Sequence, residues 1–276
     1  MTSTDFWLPE PVRVLRRQQE LETTWTLELE PGKAGGRPCI PGQFNMLYMF
    51  GVGEVPISIS GDTSLAESLV HTIRAVGPVS RQLAALQPMA TVGLRGPFGV
   101  GWPMAAAEGS DLLLVAGGLG LAPLRPAIYH VLNNRERYGR VLLLYGTRSP
   151  EDILFHDQLE EWSKLPDFEV HITVDHAGSD WQGKVGVVPA LVPTLAFDPE
   201  DTVAMVCGPE VMMRFTASAL RGAGVEDDAI FLSMERNMKC ALGHCGHCQF
   251  GATFICKDGP VLSFDRVRGL LSLKEF

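Results

Sequence analysis

Four of the chain's six cysteines fall within seventeen positions, in the stretch CALGHCGHCQFGATFIC from Cys240 to Cys256. Their spacing is Cys240-x4-Cys245-x2-Cys248-x7-Cys256. The first three match the plant-type arrangement for a [2Fe–2S] cluster, C-x4-C-x2-C with a fourth cysteine further on. Two sulfide-bridged irons need four thiolates, two on each iron. Gly243 and Gly246 permit positive φ, so that backbone amides can turn toward the sulfurs and tune the potential. Zinc also takes four thiolates, but structural zinc sites usually pair two C-x2-C units, and only one is present. On spacing alone, zinc and a disulfide staple remain alternatives. His244 and His247 read as loop histidines, because four cysteines already complete a site. Cys39 and Cys207 read as small buried side chains.

A second set of residues points to phosphate. LLLVAGGLGLAPLRPAI places Gly117, Gly118 and Gly120 between an apolar strand and a helix. Unpaired N–H groups and the positive helix end favour an anion there, and glycines let a diphosphate approach the backbone. The pattern is not G-x-G-x-x-G, since Leu121, Ala122 and Pro123 fill its second half. The glycines could equally serve tight strand-to-helix packing. Two further strand ends carry similar turns: Gly146, Thr147 and Arg148 in YGTRSPEDILF, and Cys207, Gly208 and Pro209 in VCGPEVMM. Ligands of open parallel sheets bind at the carboxyl ends of strands, so these turns would line one crevice suited to a nicotinamide nucleotide, NAD(P)H. Arg148 is either a phosphate clamp or a solvated loop arginine. No side chain is required as a catalytic acid or base; His71 and His176 read as structural or solvated.

These turns need a scaffold. From DLLLVAGG onward, fully apolar strands alternate with helices (RVLLLYGTR, FEVHITVDH and TVAMVCGP among the strands), the pattern of a parallel sheet covered on both faces. Before residue 100 the chain reads as short strands: TTWTLELE, QFNMLYMF, VPISIS, LVHTIRAVG and MATVGLRGPFG. PGQF and RGPFG punctuate them as turns, and PVSRQLAAL is the one helical patch, which suggests a closed antiparallel barrel or sandwich. The expected organisation is a β barrel over 1–103, an α/β nucleotide domain over 104–228 and a small cysteine-rich segment over 229–276. The tail from Cys240 is too short to bury a robust core, so a bound cluster would staple it. DRVRGLLSLKEF reads as a terminal helix.

Hydrophobic residues make up 46% and charged residues 20%, ordinary for a globular protein, and the net charge of −9 argues against a nucleic-acid binder. The N-terminus does not read as a secretory signal. The apolar stretch around LLLVAGGLGLAP is too short and glycine-rich to span a membrane. Cytoplasm is the expected compartment, where thiols stay reduced.

VPISIS in the barrel, GGLGLAPL, YGTRSPEDILF and VCGPEVMM in the nucleotide half, and the four-cysteine tail together resemble ferredoxin-reductase-type flavoproteins. Within that superfamily the tail is similar to electron-transfer subunits of dihydroorotate dehydrogenase. SMERNMKCALGHCGHCQFG followed by GPVLSFDRV resembles still more closely the gamma (diaphorase) subunits of NAD(P)-linked nickel–iron hydrogenases and sulfhydrogenases. The resemblance implies FAD in the barrel, a [2Fe–2S] cluster on the four cysteines, and NAD(P)H held by the second domain. Electrons would pass between these and an iron–sulfur partner subunit, in a complex with nickel–iron hydrogenase subunits. The family's flavin motif runs Arg, any residue, Tyr, then Ser or Thr; here Val55, Pro56, Ile57 and Ser58 occupy those places. Ser58 can hydrogen-bond toward a flavin, and Pro56 and Ile57 can pack on its ring. The arginine charge and the tyrosine surface are missing. Gly77, Val79 and Ser80 match the family's diphosphate turn, with Arg74 or Arg81 as a replacement charge. Rival readings are a subunit of dihydroorotate dehydrogenase or anaerobic sulfite reductase, a stand-alone reductase of a ferredoxin or oxygenase, and a zinc-stapled nucleotide-binding module.

Overall fold

Alternation of buried and exposed residues builds the first sheet. On β1 (Glu10–Leu21), Val12 and Val14 are buried while Arg13, Leu15 and Arg16 face water. β2 (Thr24–Leu29), β3 (Phe44–Met49), β4 (Gly53–Ser58), β5 (Leu69–Arg74) and β6 (Thr91–Phe98) follow, with α1 (Pro78–Ala85) between the last two. The pairs are antiparallel and the strand order is β4-β3-β6-β1-β2-β5. A bridge between Ile59 and His71 joins the two outer strands and closes the sheet into a barrel, which removes its exposed edges. Leu27, Leu29, Leu47, Ile73, Leu83 and Leu94 fill the core, each fully buried side chain contributing about 1.5–3 kcal/mol. Arg17 fixes the end of α1: its Nε donates to the Ala84 carbonyl at 2.8 Å while its guanidinium lies 3.3 Å from the Trp25 ring centre.

This computed structural model describes residues 7–32 and 38–273. The chain divides into two units. The barrel, up to Gly101, forms the first with Arg125–His130 and Glu235–Pro260; the second comprises Trp102–Leu124, Val131–Met234 and the chain from Val261 onward. Among the described residues, no helix is long and apolar enough to cross a membrane.

The second unit carries β7 (Asp111–Gly117), α2 (Leu121–Asn133), β8 (Val141–Thr147), α3 (His156–Trp162), β9 (Phe168–Val174), β10 (Lys184–Val185), β11 (Thr202–Cys207), α4 (Glu210–Gly222) and β12 (Ile230–Ser233). Leu112 to Ala116 on β7 and Val141 to Tyr145 on β8 are wholly buried, as continuous apolar strands covered on both faces must be. The cysteine segment adds a small hairpin, β13 (Gln249–Phe250) and β14 (Thr253–Phe254), and a single helical turn, α5 (Ile255–Asp258). β15 (Val261–Ser263) and α6 (Phe264–Leu271) complete the chain. The large sheet runs β10-β9-β8-β7-β11-β12-β15, parallel except for β15, which lies antiparallel on β12.

Two features differ from the sequence reading. The stretch 229–276, expected as one segment, is divided: the cysteine part groups with the barrel, and the rest joins the parallel sheet. The apolar Val261 and Leu262 explain the second half, since pairing with β12 buries both. RGPFG, read as a turn, instead lies largely within β6, with a register irregularity opposite Phe44 and Met46. Gly96 sits there at φ +142°, where an added Cβ would fall 2.0 Å from the Asn45 amide oxygen.

Candidate functional site

The cysteine segment of the first unit is a loop wound by left-handed residues. Ala241, Gly243, Gly246 and Gly251 have φ of +62°, +72°, +77° and +59°. These turns point amides at sulfur: Leu242 N–H and His244 N–H donate to Cys240 Sγ at 3.4 and 3.3 Å, and Gly243 N–H donates to Cys256 Sγ at 3.2 Å. The thiols neighbour one another, Cys240 beside Cys245 and Cys248 beside Cys256. Burial works against ionisation of Cys240, yet the amides of Leu242, Cys245 and His244 outweigh it and hold its thiol below the ordinary value. Burial, reinforced by Cys248, pushes the Cys256 thiol up. Cys248 and Cys256 are buried while Cys245 is exposed. Among the described residues, no three His, Cys, Asp or Glu side chains are gathered as a ligand set for one metal ion. Two thiol pairs, with amides already directed at sulfur, fit the donor chemistry of a two-iron cluster.

In the barrel, Val55, Pro56, Ile57 and Ser58 lie on β4, where every residue is half-buried rather than alternating. Such a strand has neither a fully buried nor a fully exposed face. Gly77 caps α1, and its turn reaches the start of β4: a Cβ on Gly53 would meet Val79 Cγ2 at 3.2 Å. The two flavin elements expected from the sequence are thus neighbours. The Ser80 hydroxyl is engaged within the cap, accepting from Val76 N–H at 3.1 Å and Gly77 N–H at 2.9 Å. What this turn can offer an anion is the backbone N–H of Val79 and Ser80 in the first turn of α1. Arg74 ends β5 just before it, and its Nε is buried without a hydrogen-bond partner among the described residues. A buried Nε–H of this kind is a donor suited to a phosphate oxygen.

Behind β4 lies a polar chain centred on His71, which the sequence reads as structural or solvated. His71 is fully buried; its Nδ1–H donates to the Ser58 carbonyl at 3.0 Å, and its Nε2 accepts from Asn45 Nδ2 at 3.2 Å. Burial pushes its pKa down to about 4, against the opposing hydrogen bonds to the Ser58 and Ile57 carbonyls. An unfolded histidine, with its ordinary value of 6.5, takes up a proton first. This contribution to stability is therefore complete above pH 6.5 and is lost as pH falls toward 4. Between pH 7 and pH 5 the loss amounts to about 2 kcal/mol, since each pKa unit is worth about 1.4 kcal/mol. Urea unfolding at the two pH values should show it in the native chain and not in His71→Gln; equal losses in both would refute the assignment.

The three nucleotide turns of the second unit lie at one edge of the sheet. Gly117 pairs in register with Gly146 across β7 and β8, and Cys207 pairs with Ala116 across β11 and β7. Chain order reverses between β7 and β11, so the Gly118–Gly120 turn and the Cys207–Pro209 turn flank a topological switch point. The glycines divide by role. A Cβ on Gly120 would sit 2.1 Å from the Cys207 carbonyl oxygen, and one on Gly208 would lie 2.3 Å from Met212 Cε. Gly117 is closed in by Met212 and Pro209, and Gly146 by Val188. Those four serve close packing. Gly118 alone combines φ +53° with open space, which leaves its backbone approachable. Thr147 is buried, its hydroxyl donating to the Ser149 carbonyl at 2.8 Å, while Arg148 is exposed.

Comparison with known proteins adds sequence relatives to this geometry. Residues 114–218 match the oxidoreductase NAD-binding domain family, and residues 235–268 match the iron–sulfur cluster binding domain of dihydroorotate dehydrogenase B. The gamma subunit of sulfhydrogenase 1 from Pyrococcus furiosus is 38% identical over 230 residues, covering 81% of this chain and 79% of that protein. A probable electron-transfer subunit of NAD(+)-linked dihydroorotate dehydrogenase B from Methanocella arvoryzae is 34% identical over 224 residues, covering 80% and 78%. Among solved structures, an NADH-dependent reduced ferredoxin-NADP oxidoreductase superposes with a TM-score of 0.75 at 22% identity, covering 96% of this chain and 94% of its own. A ferredoxin NADP+ reductase from Neisseria gonorrhoeae with bound FAD and NADP gives a TM-score of 0.68 at 21% identity, covering 84% and 95%. These two share the fold.

Proposed function

Since this chain belongs to the family of electron-transfer subunits that includes the sulfhydrogenase gamma subunits and those of dihydroorotate dehydrogenase B, we propose that it moves electrons between NAD(P)H and an iron–sulfur partner subunit through FAD and a [2Fe–2S] cluster. The observation that carries this reading is the cysteine loop, which gathers four thiols and already directs backbone N–H groups at two of them, Cys240 and Cys256. The match of residues 235–268 to an iron–sulfur domain supports iron over zinc, the alternative that spacing leaves open. When bound, the cofactors supply the redox chemistry: a hydride exchanged between nicotinamide and FAD, and single electrons passed by the cluster.

The chain's own residues bind and orient. Cys240, Cys245, Cys248 and Cys256 hold the cluster, and the exposed Cys245 leaves one side of it toward solvent or a partner. Val55 to Ser58 offer a half-buried strand to the flavin, with the Ser58 peptide fixed from behind by His71. Val79 and Ser80 offer amides to its diphosphate, and Arg74 supplies the charge that Val55 cannot. Gly118 admits the nucleotide diphosphate at the switch point; Gly117, Gly120, Gly146 and Gly208 keep the flanking turns close, beside Thr147, Cys207 and Pro209. Arg148 is a solvent-side phosphate clamp. The two sulfhydrogenase gamma relatives support a nickel–iron hydrogenase as the partner. Free, closely spaced thiols suit the reducing cytoplasm.

Anaerobic purification followed by titration with NADH and then NADPH tests the reading. Flavin bands and a broader iron–sulfur absorption should both bleach, with two irons per chain. A colourless protein carrying stoichiometric zinc would overturn it. In the same assay Arg74→Ala should lose FAD on dilution, its affinity weakened about tenfold or more, in line with a charge-assisted hydrogen bond of about 1.5–3 kcal/mol. Unchanged FAD retention would remove Arg74 from the site.

A further inference from the structure

Arg95 is a cation held almost wholly out of water, its side chain only 4% exposed. A buried guanidinium persists where its donors are matched by well-placed acceptors. Nε and Nη2 donate to the two carboxylate oxygens of Glu54 at 2.7 and 2.6 Å, a bidentate grip that crosses β3 from β6 to β4. Nη1 donates to the backbone carbonyl of Cys240 at 3.3 Å. One side chain therefore ties the first cysteine of the loop to the strand carrying Val55 to Ser58, since Glu54 immediately precedes Val55.

The carbonyl it grips lies at a strained point. The next residue, Ala241, has φ +62°, a conformation that a residue with a Cβ adopts only when its surroundings hold it. That turn directs the amides of Leu242 and His244 onto Cys240 Sγ. We infer that Arg95 is a positioning residue for the cluster: anchored by Glu54, it fixes the Cys240 carbonyl, maintains the left-handed turn at Ala241 and so keeps two amide donors on the ligand sulfur. Hydrogen bonds to sulfur and a nearby positive charge both stabilise the reduced cluster and raise its potential. The same clamp fixes the Cys240 backbone relative to β4, and single-electron transfer falls steeply with such distances. An ion pair serving only barrel stability would leave the amides and the potential untouched.

The inference rests on the cluster reading above, so its test has two readouts on the full-length chain. The variants are Arg95→Gln with Glu54→Gln, which removes both charges together, and Arg95→Leu with Glu54→Leu should the first fail to fold, because apolar replacement of a buried pair is commonly tolerated. The first readout is hydrogen exchange at the Leu242 and His244 amides in the protein as purified without air, where protection should fall about tenfold. The second is the cluster midpoint, followed by electron paramagnetic resonance during a dye-mediated anaerobic titration. At fixed potential the ratio of reduced to oxidised cluster should fall about tenfold, a shift of about 59 mV for one electron. Arg95→Lys, which restores charge without the fork, should recover the midpoint in part and the exchange protection little. A folded, iron-replete variant with native exchange and native midpoint would overturn the inference. Altered exchange in a chain whose wild type gives no iron–sulfur signal on reduction would keep the clamp and remove the cluster.

Discussion

Cys248→Ser should strip the chain of its iron and cut NAD(P)H-driven reduction of a one-electron protein acceptor by more than roughly 100-fold, since even outer-shell losses cost about 10–100-fold at metal sites. Cys248 is 1% exposed, beside Cys256, in a loop too small to bury a core of its own. A serine there keeps the size of the side chain but is a poor ligand for iron under neutral conditions. The loop should also loosen. Without iron, what holds the loop is hydrogen bonding within the first unit: Ile255 N–H to the Cys248 carbonyl at 3.1 Å, Val100 N–H to the Gly259 carbonyl at 2.5 Å, and Arg95 Nη1 to the Cys240 carbonyl at 3.3 Å. Limited proteolysis should cut between 240 and 256 in the variant and spare the native chain. FAD content should persist, because among the described residues β4 and the α1 turn make no hydrogen bond to Cys248. Iron retained at two per chain with a native signal would refute the ligand assignment; zinc in native and variant alike would refute the cluster.

What the sequence made legible follows from how local each signal is. Four cysteines at fixed spacing are a local pattern, and the structure places them in one loop with amides directed at two of the sulfurs. Apolar runs such as LLLVAG and VLLLYG read directly as buried parallel strands, because nothing but double-sided burial demands them. β1 escaped because only Val12 and Val14 along EPVRVLRRQQEL are buried, and the arginines and glutamines around them mask the alternation. The Glu54–Arg95 pair was out of reach for another reason. Its partners are 41 residues apart on strands separated by a third, and nothing in LRGPFG marks its arginine as buried. The glycines of GGLGLAP were seen together but could not be sorted from sequence. Packing and approach use the same residue, and only the positions of Cys207 and Met212 tell them apart.

That sorting predicts a large difference between two neighbouring substitutions. Gly120→Ala would put a Cβ 2.1 Å from the Cys207 carbonyl oxygen, 2.5 Å from its carbonyl carbon and 2.8 Å from Gly208 N. All three are backbone atoms, so no side chain can swing aside. The β7–α2 turn and the β11–α4 turn must separate, disturbing strands that are fully buried. The cost should reach the upper end for overpacking, about 3 kcal/mol, and NAD(P)H binding should go with it, because the switch point lies between those turns. Gly118→Ala meets nothing within 4 Å and carries only the penalty of a left-handed φ of +53°, about 1–2 kcal/mol. Its fold should survive, with nucleotide affinity reduced where the new methyl group obstructs the diphosphate. Urea midpoints and NADPH titrations on both variants separate these effects: Gly120→Ala should lose stability and binding together, Gly118→Ala chiefly binding. Equal urea midpoints in the two variants would mean that the Gly120 contact with Cys207 does not hold the turns together, and unchanged binding in Gly118→Ala would move the nucleotide away from this turn.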